Sequence, residues 1–143
     1  MPTPSLRHGI VMAVAACLLL LGGLVGGCAA AVSDRAILEI SPAEVAERLA
    51  KSPKGVVAVD ARDAEAFAQG RLPGAVRLPL NAIGNDSENA PQAVRGKSLI
   101  VVYGEDPGSA GAIALTKRLM SLGVGDVRLM RAGFISWRAQ ALP

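Results

Sequence analysis

Histidine occurs once in this chain and cysteine twice, and all three residues, His8, Cys17 and Cys28, lie within the first 28 positions. Everything after Cys28 therefore has no thiol, no imidazole and no possible disulfide. That excludes a Cys/His metal cluster and a Ser-His-Asp arrangement from the C-terminal portion. Aromatic residues are also scarce, one Trp, one Tyr and two Phe in 143 residues, so the core must be built from Val, Leu, Ile and Ala. No basic run and no aromatic platform is present, and the formal charge is only +3, so nucleic acid is not expected as a partner. No internal repeat appears. What is abundant is aliphatic residue, in two forms: one long run at the N-terminus, and several short runs spaced along the rest.

The long run is Gly9 to Val32, preceded by Arg7 and His8 and free of charge. A basic start, an apolar middle and small residues read as a secretion signal. Its end, Leu24-Val25-Gly26-Gly27-Cys28-Ala29-Ala30, resembles the lipobox of bacterial lipoproteins. The resemblance implies that residues 1–27 are removed and that Cys28 carries lipid through its sulfur, with residues 28–36 as a tether. Val14-Ala15-Ala16-Cys17 fits the same pattern but leaves too short an apolar segment before it. An uncleaved anchor and a plain cleaved signal are the alternatives; Gly22, Gly23, Gly26 and Gly27 weaken a spanning helix. For a lipoprotein or a retained anchor, Arg7 on the cytoplasmic side during insertion puts the domain outside the cytoplasm, facing the periplasm or exterior from the cell membrane or outer membrane.

The short runs alternate with helical patterns. Ile37-Leu38-Glu39-Ile40 predicts an edge strand. Ser41-Pro42-Ala43-Glu44 predicts a helix start with a capping box, and Val45 and Leu49 its inward face. Val56 to Val59 predicts a buried strand, and Asp63 a cap for a short helix from Ala64 to Gln69, closed by Gly70. Ala75 to Leu78 is a further strand, and Asn81 to Arg95 a polar loop with one helical turn. Leu99 to Tyr103 is an apolar strand, leading through Gly104-Glu105-Asp106-Pro107-Gly108-Ser109 into a helix striped by Ala112, Leu115, Leu119 and Leu122 and ended by Gly123. Val127 to Met130 and Gly133 to Ala139 complete the series. Such alternation predicts an α/β fold with a parallel sheet covered on both faces.

Three of these segments resemble the rhodanese-like domain family. Val59-Asp60-Ala61-Arg62, followed by Glu65-Ala66-Phe67-Ala68-Gln69-Gly70-Arg71-Leu72-Pro73-Gly74-Ala75, is similar to the family's Asp-x-Arg and Glu-aromatic-x-x-Gly-His-Ile-Pro-Gly-Ala. The strand-loop-helix from Leu99 is the second segment, and Gly133-Phe134-Ile135-Ser136-Trp137 the third. The similarity spans Ile37 to Pro143 and implies a central parallel five-stranded sheet with helices on both faces. Active members carry a persulfide-forming Cys at the head of the loop and often a basic residue at its end. By the resemblance those positions are Gly104 and Ser109 here, which implies a sulfurtransferase scaffold without its nucleophile, and no cofactor.

The residues around this degenerate loop allow bland roles. Asp60 and Arg62 read as a structural ion pair beside the loop, with ligand binding as the alternative. Ser109 reads as a helix N-cap, since no His is present to activate it. Glu105 and Asp106 read as a solvent-facing acidic turn, too few carboxylates for a Ca²⁺ site of about 6–8 oxygens. Phe134 and Trp137 read as core closure, and Arg128, Arg131 and Arg138 as solvated surface. Three functions stay open: a non-catalytic module docking an unidentified protein partner, an enzyme or oxyanion binder using the loop backbone, and a structural lipoprotein domain.

Overall fold

The computed structural model describes residues 31–84 and 90–143. The lipobox with Cys28 lies outside the described residues. Residues 31–143 form one compact unit. It contains strands β1 (Leu38–Glu39), β2 (Val56–Asp60), β3 (Val76–Arg77), β4 (Leu99–Tyr103) and β5 (Asp126–Met130). Its helices are α1 (Pro42–Lys51), α2 (Ala64–Gln69), α3 (Ala110–Ser121) and α4 (Gly133–Ala139). All strand pairs are parallel, in the order β1-β5-β4-β2-β3.

The two central strands, β2 and β4, are buried along their whole length. Alternation along them feeds two cores, because successive side chains point to opposite faces. Val57, Val59, Ile100 and Val102 join Leu115 and Leu119 of α3 on one face. Val56, Ala58, Leu99, Val101 and Tyr103 join Val45 of α1 and Phe134 and Trp137 of α4 on the other. The expected α/β architecture is therefore present, with helices on both faces. Phe134 and Trp137 close the second core, as their types suggested.

Local signals explain most helix boundaries. Ser41 Oγ accepts the Glu44 N–H at 3.2 Å and Pro42 occupies the first turn. The capping box is only half made, because the Glu44 carboxylate accepts from Arg48 instead. Asp63 Oδ1 accepts the Ala66 N–H at 2.8 Å to start α2. Gly123, at φ +64°, ends α3 in the left-handed region where glycine has no steric penalty.

The edge strand is shorter than its alternation predicted. Only Leu38 and Glu39 pair with β5, while Ile37 and Ile40 turn into opposite cores. In the polar segment expected from Asn81 to Arg95, the described residues include a 3-10 turn at Leu80–Ala82 and turn bonds from the Val94 and Arg95 N–H groups to the Pro91 and Gln92 carbonyls. Arg128 and Arg131 are not simply solvated: Arg128 pairs with Asp126 at 2.9 Å, and Arg131 pairs with Glu39 across to β1.

Candidate functional site

The C-terminal ends of β2 and β4 lie side by side, with Asp60 opposite Tyr103. Chain direction and sheet order thus bring residues 60–62 beside the loop 104–109, the position where open parallel sheets place ligands. Asp60 is fully buried and Arg62 is 9% exposed. A buried pair of this kind persists only if its hydrogen-bonding capacity is used.

Arg62 is the hub. Its Nε donates to Asp60 Oδ1 at 3.0 Å, and its Nη2 donates to Asp60 Oδ2 at 2.7 Å and to the Gly70 carbonyl at 2.6 Å. Its Nη1 donates to Glu105 Oε2 at 2.6 Å. The guanidinium also lies 4.1 Å from the centroid of the Phe134 ring, a cation–π contact. Burial pushes the Arg62 pKa down, but hydrogen bonds to Asp60 and Glu105 outweigh it and the net shift is upward. The hub therefore stays charged. Removing one partner of such a buried pair costs about 3–5 kcal/mol.

Tyr103 completes the buried side. Its hydroxyl accepts the Leu72 N–H at 3.3 Å. Burial first, and the neighbouring Asp60 carboxylate second, raise its pKa above the usual phenol value. The Asp60–Arg62 pair is a buried, doubly hydrogen-bonded ion pair. Its extension to Tyr103, Gly70 and Glu105 was not visible in sequence, since Glu105 is 43 residues from Arg62.

The loop 104–109 is held from the far side by α4. Phe134 N–H donates to the Gly104 carbonyl at 2.9 Å, and Ile135 N–H donates to the Glu105 carbonyl at 2.9 Å. In a trans peptide the N–H opposes the C=O, so the amides of Glu105 and Asp106 point away from α4. This approach requires glycine at 133. Its φ is +73°, and a Cβ there would stand 2.6 Å from the Glu105 oxygen.

Two loop expectations are corrected. Glu105 is not simply a solvent-facing turn residue, because the neighbouring guanidinium captures its carboxylate. Ser109 occupies the N-cap position of α3, but its side chain makes no capping bond. It lies over Gly104 instead: a Cβ built on Gly104 would meet Ser109 Oγ at 2.3 Å and Ser109 Cβ at 2.4 Å.

Above the hub is a pocket of about 340 Å³, lined among others by Arg62, Gln69, Glu105, Ser109, Phe134 and Arg138. Arg138, expected as solvated surface, therefore contributes to the pocket wall. Gly104, Asp106, Pro107 and Gly108 shape the loop without lining the pocket. Among the described residues, no group of three His, Cys, Asp or Glu side chains is placed to hold a metal ion.

An all-parallel five-stranded sheet with helices on both faces and a strand-loop-helix unit at the C-terminal end of β4 defines the class as an α/β domain. Comparison with known proteins narrows the class. The family model of the rhodanese-like domain matches residues 41–140, and the chain belongs to that family. Thiosulfate sulfurtransferase GlpE from Pseudomonas putida is 36% identical over 99 residues, covering 68% of this chain and 83% of that protein. A Bacillus halodurans crystal structure superposes with a TM-score of 0.63 at 26% identity, over 75% of each chain. The rhodanese-like domain of an Anabaena protein superposes at 0.56 with 21% identity, over 73% of this chain and 76% of that one.

Proposed function

We propose that this chain is a membrane-anchored, extracytoplasmic rhodanese-like domain without sulfurtransferase activity, acting as a binding or partner-docking module. The single observation that carries the reading is Gly104 at the head of the loop, where the family resemblance calls for the nucleophilic Cys. Sulfur transfer through a persulfide needs a thiolate, and no cysteine follows position 28. The surroundings support the same conclusion. Ser109 fills the space beside Gly104 that a side chain would need. The loop ends in that serine rather than a basic residue, and Glu105 and Asp106 disfavour approach of an anion such as thiosulfate. Membership of the same family as thiosulfate sulfurtransferases accounts for the scaffold; retention of a packed, hydrogen-bonded Asp60–Arg62–Glu105 hub without the nucleophile fits a docking role.

The anchor rests on the Leu24–Cys28 lipobox resemblance. Lipid on Cys28 through a thioether removes the last thiol from the processed chain and places the domain at a membrane surface.

The test is thiosulfate:cyanide sulfurtransferase activity together with mass spectrometry after thiosulfate treatment. The expected result is neither turnover nor a persulfide adduct. Either one in the wild-type protein overturns the reading.

A further inference from the structure

Arg62 is almost fully enclosed, yet it lines the pocket. Nε and Nη2 are committed to Asp60 and the Gly70 carbonyl. Nη1 faces the loop and is closed by Glu105 Oε2 at 2.6 Å. The pair is asymmetric: the Arg62 side chain is 6% exposed and the Glu105 side chain 46%. The cation is thus fixed in the fold, and the carboxylate reaches in to it from the rim. A guanidinium edge recognises carboxylate, sulfate and phosphate oxygens by the same geometry. Arg138 and Ser109 stand on the same pocket wall and supply further donors.

We propose that Glu105 is a built-in occupant of an oxyanion site centred on Arg62 Nη1, and that it excludes sulfate- and phosphate-class ligands from this pocket. An outside anion must displace a tethered carboxylate and remain close to its charge. The charge demand vanishes when the side chain at 105 is neutral, and both vanish when it is removed. Gln at 105 keeps the size and removes the charge, whereas Ala removes the side chain altogether. This inference deepens the reading of the same site and rests on it. It fails on anion binding, whereas that reading fails on persulfide formation.

The experiment is titration of the full chain in neutral detergent micelles with sodium sulfate at constant ionic strength. Calorimetry gives the affinity, and the Arg62 Nε–Hε resonance gives the location. Wild type is expected to show no saturable binding. Both E105Q and E105A are expected to bind with an apparent Kd at least about tenfold lower than any wild-type value, and to shift the Arg62 signal. Saturable wild-type binding at Arg62, failure of both variants to bind, or binding that leaves the Arg62 signal unmoved each overturns the proposal. Two variants of different size keep the test decisive if one of them folds poorly.

Discussion

Placing a cysteine at the head of the loop should damage the domain before it confers any chemistry. The Cβ of Gly104→Cys falls 2.3 Å from Ser109 Oγ and 2.4 Å from Ser109 Cβ. Carbon atoms pack at about 3.5–4.0 Å, so Ser109 must retreat by roughly an ångström. Rotating its hydroxyl relieves only the first contact; the second involves an atom fixed to the backbone. Overpacking of this kind costs about 1–3 kcal/mol. For a domain of this size each kcal/mol lowers the Tm by about 3–6 °C. Ser109→Gly removes both clashing atoms. It sacrifices little, because Ser109 makes no side-chain capping bond and glycine at an N-cap costs only about a few tenths of a kcal/mol. The double variant should therefore recover most of the loss, giving a coupling of about 1–2 kcal/mol in a double-mutant cycle. Urea unfolding of residues 31–143 as wild type, two single variants and the double variant measures it. Strict additivity, or a single cysteine variant as stable as wild type, would refute the packing argument. A reactive thiol should likewise appear first in the double variant, where the side chain has room.

Two further outcomes follow from the buried hub and the loop support. Tyr103 is the only tyrosine, so phenolate absorbance reports it alone. Burial and Asp60 raise its folded-state pKa above the unfolded value of about 10, so the folded domain keeps a proton that the unfolded chain releases. Its contribution to stability is complete below pH about 10 and is lost as pH rises through the folded pKa. Phenolate should accordingly appear with unfolding; a reversible titration near pH 10 in the folded domain would contradict the geometry. Gly133→Ala puts a side chain at φ +73° and 2.6 Å from the Glu105 oxygen. It should destabilise by at least about 1–2 kcal/mol and speed hydrogen exchange at the Phe134 and Ile135 amides. Unchanged exchange there would show that α4 does not hold the loop.

The features legible in the sequence are those written over a few neighbouring residues. Ser41 and Asp63 announce their helices because a cap is a contact between residues three apart. The apolar runs at 56–59 and 99–103 announce buried strands, and their alternation with helices announces a parallel sheet. The lone cysteine candidates announce, by position alone, that the domain has no thiol. Tertiary structure decided the rest. Strand order brings Glu105 to Arg62 across 43 residues of chain, turning an acidic loop residue into the guanidinium's partner. It folds Ser109 over Gly104 instead of into a cap, and it presses α4 so closely on the loop that only glycine fits at 133. Local periodicity is set by backbone geometry and can be read residue by residue; which distant side chains meet depends on how the elements pack, and no short stretch of sequence encodes that.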